Sequence, residues 1–256
     1  MNRLFLRRLT VDAAALPPDS YLSALPAVRC GSLMFQKPVT FFVGENGTGK
    51  STLIEATAVA WGLNPEGGSR NFRFSTRDSH SDLHRVLHLE KGPLLPRDEY
   101  FLRAESFYNT ASYIDELDDS PGDPSPLLIG AYGGKSLHDQ SHGESFLSLA
   151  LHRFRPGGLY LLDEPEAALS PTGQMALLAR IHELASQGAQ FLIATHSPLL
   201  ITCPGSDVYE FQEKGPRLVS YDQTAHFQIV RRFLNKPEEM LRALLGEGSG
   251  AADTAR

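Results

Sequence analysis

Between residues 41 and 58 the chain reads FFVGENGTGKSTLIEATA, and its centre, Gly44-Glu45-Asn46-Gly47-Thr48-Gly49-Lys50-Ser51-Thr52, has the spacing G-x-x-x-x-G-K-[ST]. Glycines at these points let a turn close round an anion, with successive backbone N–H groups aimed at its oxygens. An apolar run, Val39 to Val43, leads into the turn, and the helix-forming Leu53-Ile54-Glu55-Ala56 follow it. A helix N-terminus therefore adds its positive end at the same place. Lys50 is spaced to reach β- and γ-phosphates, and the Ser51 hydroxyl to take one position on Mg²⁺. The ligand this chemistry expects is a nucleoside triphosphate.

Three further groups carry charge or protons at suggestive points. Four apolar residues, Leu159 to Leu162, end in Asp163-Glu164. An aspartate at such a strand end can hold Mg²⁺ opposite Ser51, and an adjacent carboxylate can polarise an attacking water. Acids at an ordinary helix start would look the same in isolation; beside a phosphate loop the catalytic reading is the stronger. His196 follows the next strand-like run, AQFLIAT, where an imidazole can bond a γ-phosphate or orient the water. Ser141-His142-Gly143-Glu144-Ser145 opens a helix, so a hydroxyl, free N–H groups and a dipole form a second anion site. The same residues also read as a capping box, Ser141 with Glu144. If the two anion sites sit on separate lobes, each has to be completed by a second copy of the chain.

The elements that must position these groups follow from periodicity. Residues 3–10 alternate apolar and basic side chains, as an edge strand with one wet face does. Residues 13–30 carry three prolines and read as a connecting loop. Leu33 to Val43 is strand-like, and the helix after Lys50 should stop near Gly62. Strands are expected over 69–79 and 97–103, with His80, His84 and His88 between them; these read as surface histidines, not as a metal site. An acidic, Pro/Gly-rich lobe at about 106–140 reads as solvated and mobile. The next helix should bury Phe146, Leu147, Ala150, Leu151 and Phe154. Ser170-Pro171 starts a helix to about residue 187, Gly188 ends it, and AQFLIAT forms another buried strand. A strand pair over 207–222, two short helices split before Pro237 and a disordered tail at 246–256 complete the chain. Near-continuous apolar strands alternating with amphipathic helices imply an α/β fold: a mainly parallel sheet flanked by helices, with an antiparallel β edge. Functional groups then belong at the carboxyl ends of the strands.

GENGTGKST, SHGES, LYLLDEPEAALSP and ATHSP, in that order, resemble the Walker A, signature, Walker B with D-loop, and switch-histidine motifs of ABC-type ATPases. The flavour is closer to SMC and RecF-like recombination heads and small stand-alone AAA-family ATPases than to transporter subunits. The resemblance covers most of residues 30–200 and implies one ATPase domain over 1–245. It implies ATP and Mg²⁺ as ligands, with Gly44 to Thr52 binding ATP, Ser51 and Asp163 on the metal, and Glu164 and His196 as catalytic groups. It further implies an ATP-dependent homodimer in which Ser141, Gly143 and Glu144 contact the other subunit's nucleotide. The pattern is not complete. His142 and Glu144 replace the usual Gly and Gln of the signature, Ser170 replaces the D-loop Asp, and Glu105 is the candidate at the Q-loop position. No heptad pattern separates Ser51 from Ser141, so no long coiled-coil tether is expected.

Composition bounds the alternatives. No apolar run approaches a membrane span, the N-terminus lacks the apolar core of a secretory signal, and Cys30 and Cys203 stand apart. A cytoplasmic protein without membrane insertion is expected. The net charge of −6 argues against wholesale nucleic-acid coating but leaves room for a local basic lobe at Arg70, Arg73, Arg77 and Arg85. DNA repair or recombination is the partner process that the resemblance suggests. The competing readings are the ATPase subunit of a membrane transporter and a non-catalytic nucleotide sensor; a small-molecule kinase would leave the signature and switch motifs unexplained.

Overall fold

The computed structural model describes residues 4–17, 19–68, 81–103 and 142–246. The expected strand at 69–79, Glu105, the lobe at 106–140, Ser141 and residues 247–256 of the tail lie outside the described residues, as do Arg70, Arg73, Arg77 and His80.

Six strands line up side by side, the central ones almost wholly apolar. In sheet order these are β5 (Asp98–Arg103), β6 (Gly158–Asp163), β7 (Gln190–Ala194), β3 (Val39–Gly44), β8 (Asp207–Gln212) and β9 (Gly215–Val219). The first five run parallel and β9 returns antiparallel on β8. All of β6 and β7 is buried, because helices or a second sheet cover both faces. Successive residues then serve opposite cores. Phe42, Leu161, Leu192 and Phe101 face α1 (Lys50–Trp61) and a three-stranded antiparallel sheet. Phe41, Val43, Leu162 and Ile193 face α2 (His142–His152) and α3 (Pro171–Ser186). Each such fully buried large side chain contributes about 1.5–3 kcal/mol.

The antiparallel sheet has the order β2 (Ser32–Met34), β1 (Leu6–Val11), β4 (Leu87–Lys91). β1 is therefore its middle strand, where the alternating pattern suggested an edge. Alternation reports one wet face; it says nothing about whether both backbone rims are paired. Gln190 clamps the two sheets. Its buried Oε1 accepts the Phe5 and Leu6 N–H groups, both at 2.9 Å, and its Nε2 donates to the Leu6 carbonyl at 2.7 Å.

Other boundaries follow local chemistry. Pro38, which lacks an N–H, separates β2 from β3 where one strand was expected. The loop at 13–30 holds three short 3-10 turns. α1 ends at Gly62 in the left-handed region (φ 105°). Ser170 caps α3, its Oγ accepting from the Gly173 N–H at 3.2 Å. α4 (Ala225–Asn235) and α5 (Pro237–Leu245) split at Pro237 as expected. In α2 the buried side is Phe146, Leu149 and Ala150, while Leu151 is exposed. At about 100° per residue Leu151 stands some 140° round from Phe146, so it cannot share that face. His84 lies in a 3-10 turn and His88 in β4, so these two share no helix.

Candidate functional site

Because β6, β7 and β3 are neighbours, their carboxyl ends deliver Asp163-Glu164, Thr195-His196 and the glycine loop to one place. The Glu164 N–H donates to the Ala194 carbonyl at 2.9 Å, and the Thr195 N–H to that of Phe42 at 3.0 Å. The sheet ladder thus continues to the edge of the site and fixes the three strand ends against one another.

The loop is held from behind. Gly49 has φ 89°, and a Cβ on it would lie 2.8 Å from Ala27 Cβ. The Ala27 N–H donates to the Thr48 carbonyl at 3.0 Å. Gly44 has φ 138° and leaves room for the Phe211 carbonyl, which a Cβ would meet at 2.6 Å. A Cβ on Gly47, by contrast, would meet nothing within 4 Å. Lys50 is buried and donates to the Gly44 and Glu45 carbonyls at 2.8 and 2.9 Å. Two of its three ammonium hydrogens are so used, and the third suits a phosphate oxygen. Burial pushes the Lys50 ammonium below its ordinary range, while the charges of Glu164, Asp163, Glu45 and Glu166 hold it up. Ser51 and Thr52 are half-buried in the first turn of α1.

Asp163 is buried, and its Oδ2 lies 3.8 Å from Arg103 Nε at the end of β5. The same guanidinium donates to Glu55 Oε2 at 2.6 Å, and Glu55 Oε1 accepts the Ser81 N–H at 3.0 Å. Glu164 is half-exposed, with Oε1 3.7 Å from His196 Nε2. It alone, among the described non-glycine residues, has a positive φ, 50°. Such a conformation costs on the order of 1–2 kcal/mol and collects at functional sites. Ser51 and Asp163 are both oxygen donors, the set a hard divalent cation takes. They fit Mg²⁺.

Ser141 and Glu105 cannot be located, being outside the described residues. Gly143 lies in the first turn of α2, where a Cβ would meet the Ala168 carbonyl at 2.6 Å, and Glu144 is exposed. Sequence reasoning missed four groups: Arg103, Glu55, Glu166 and His226. Glu166 stands two residues after Glu164 in DEPE, a third carboxylate legible in the motif. The other three join the site only through packing. The Ala225 N–H at the start of α4 donates to Glu210 Oε1 at 2.8 Å, and Glu210 pairs with Val43 of β3. His226 is thereby carried to the loop side, its Nε2 shielded from solvent and without a hydrogen-bond partner among the described residues.

In its glycine loop, the carboxylate-ended strand beside it and the histidine-bearing strand, the chain is similar to P-loop ATPases of the ABC type. Two family models match it: "AAA domain" over residues 24–115, and "AAA domain, putative AbiEii toxin, Type IV TA system" over 143–202. The "Putative ABC transporter ATP-binding protein" of Streptomyces avermitilis is 32% identical over 213 residues, covering 76% of this chain and 36% of that protein. The "Cytochrome c biogenesis ATP-binding export protein CcmA" of Rhodopseudomonas palustris is 28% identical over 174 residues, covering 62% of this chain and 78% of that protein. The chain thus spans about a third of the first relative's length. The SMC head domain from Thermotoga maritima superposes with a TM-score of 0.44 at 13% identity, over 85% of this chain and 99% of that one. No helix among the described residues is long and apolar enough to cross a membrane.

Proposed function

We propose that the chain binds ATP with Mg²⁺, hydrolyses it to ADP and phosphate, and works as a nucleotide-gated homodimer. The observation that carries this reading is the meeting of Lys50, Asp163, Glu164 and His196 at three adjacent strand ends, with Glu164 held in a left-handed conformation 3.7 Å from the His196 ring. Strain at a carboxylate beside a histidine ring is what a preorganised base would show. In this reading the loop N–H groups from Gly44 to Thr52 and the Lys50 ammonium hold the phosphates. Glu164 takes the proton of the attacking water, and His196 orients that water. Ser51 and Asp163 would hold the metal, whose charge offsets that developing on the phosphate oxygens. Gly143 and Glu144, with Ser141, would close on the partner's nucleotide.

Light scattering coupled to size-exclusion chromatography, with wild type and Glu164→Gln, each with and without Mg-ATP, tests this together with phosphate release. Glu164→Gln should bind ATP, release little phosphate and show the strongest shift to dimer. A monomer under every condition would sink the dimer mechanism. Turnover undiminished in Glu164→Gln would favour a different base, or a nucleotide sensor.

A second reading, the ATPase subunit of a transporter, is favoured by the names of both relatives above. It predicts co-purification with a membrane protein. A role on DNA, in repair or recombination, rests on the basic side chains of residues 70–85. It predicts binding that weakens steeply with salt and is lost on reversing those charges.

A further inference from the structure

The short turn after Glu164 touches three parts of the site at once. It is tied internally, with the Ala167 N–H donating to the Glu164 carbonyl at 3.0 Å and the Leu169 N–H to that of Glu166 at 2.9 Å. Its Ala168 carbonyl bears on Gly143, at the start of α2, with no room for a Cβ between them. Glu166, between these points, reaches across to β7's end: its Oε1 accepts the backbone N–H of His196 at 2.5 Å. Its Oε2 is shielded from solvent and has no partner among the described residues. Among the described residues the carboxylate makes its bond outside the turn, to the residue whose ring stands beside Glu164.

We infer that Glu166 is a positioning residue. It sets the backbone of His196, and through it the imidazole beside Glu164, according to where the turn that abuts α2 lies. A shift of the Gly143 end of α2 displaces Ala168, and the tied turn passes that displacement to His196. Glu166 contacts no reacting group itself. The inference rests on the ATP-hydrolysis reading above and adds to it the link between the signature helix and the histidine.

Glu166→Ala removes the acceptor, whereas Glu166→Gln keeps an oxygen at the same reach. Phosphate release by the full chain with Mg-ATP, and backbone amide exchange at 195–197, are measured on both. The expected result is a kcat lowered about three- to ten-fold in Glu166→Ala, the order set by losing one hydrogen bond. Its KM for ATP should stay near that of wild type, its 195–197 amides should exchange faster, and Glu166→Gln should restore both. An unchanged kcat or unchanged exchange in Glu166→Ala overturns the inference, while the ATPase reading survives. A Glu166→Gln variant as slow as Glu166→Ala also overturns it, since charge and not the bond would then matter. If Glu166→Ala does not fold, Glu166→Asp, whose carboxylate is one methylene short, replaces it with the same expected loss. A wild type that binds ATP but releases no phosphate overturns the proposed function, and the positioning role falls with it.

Discussion

Replacing Gly49 by alanine probes the seat of the phosphate loop directly. Gly49 sits at φ 89°, which costs a residue with a Cβ roughly 1–2 kcal/mol. The new methyl would lie 2.8 Å from Ala27 Cβ and 3.3 Å from Leu25 Cβ, against an ordinary contact of about 3.5–4 Å. Ala27 is fully buried and its N–H is bonded to Thr48, so it cannot step aside cheaply. Overpacking of this kind costs about 1–3 kcal/mol, giving a total of about 2–5 kcal/mol. For a chain of this size that lowers the melting temperature by roughly 4–20 °C. The assay is urea unfolding of Gly49→Ala, Ala27→Gly and the pair together. The Ala27→Gly background should recover the steric part, about 1–3 kcal/mol, and leave the backbone strain in place. A loss below about 0.5 kcal/mol in Gly49→Ala, or no coupling between the two sites, would refute the picture of a loop braced on the 26–30 turn.

Gln190→Ala should leave the Phe5 and Leu6 N–H groups and the Leu6 carbonyl unpaired between the sheets, costing about 3–6 kcal/mol; a loss under about 1 kcal/mol by urea unfolding would show that the clamp is not holding them. The remaining expectation concerns acid. Burial, followed by the charge of His196, lowers the His226 pKa below its ordinary 6.5. Between that lowered value and 6.5 the unfolded chain binds a proton that the folded chain does not, so stability falls as pH drops through the window and is level above it. Melting temperatures from pH 7.5 to 5.5 should show this decline, and His226→Gln should make it shallower; an equal slope in both would place the acid sensitivity elsewhere.

Much of the site was legible because its chemistry is local. The glycine spacing before Lys50, the apolar run ending in Asp163-Glu164, the Ser170-Pro171 helix start and the stop at Gly62 each depend on residues within a few positions of one another. Continuous apolar runs mark strands β3, β6 and β7, helix-forming residues after the glycine loop mark α1, and the 3.6-residue period marks α3, so these elements could be drawn from the sequence. Sheet order could not. That β6, β7 and β3 are neighbours, and so bring Asp163, His196 and Lys50 together, is decided by how two cores pack on opposite faces of one sheet. The same holds for Arg103 against Glu55 and Asp163, for Gln190 under β1, and for His226 beside the loop. Each joins residues far apart in the chain through a bond that exists only once the layers close. Hydrogen bonding and apolar patterning within a segment are written in the sequence, whereas contacts between segments depend on which surfaces bury each other best.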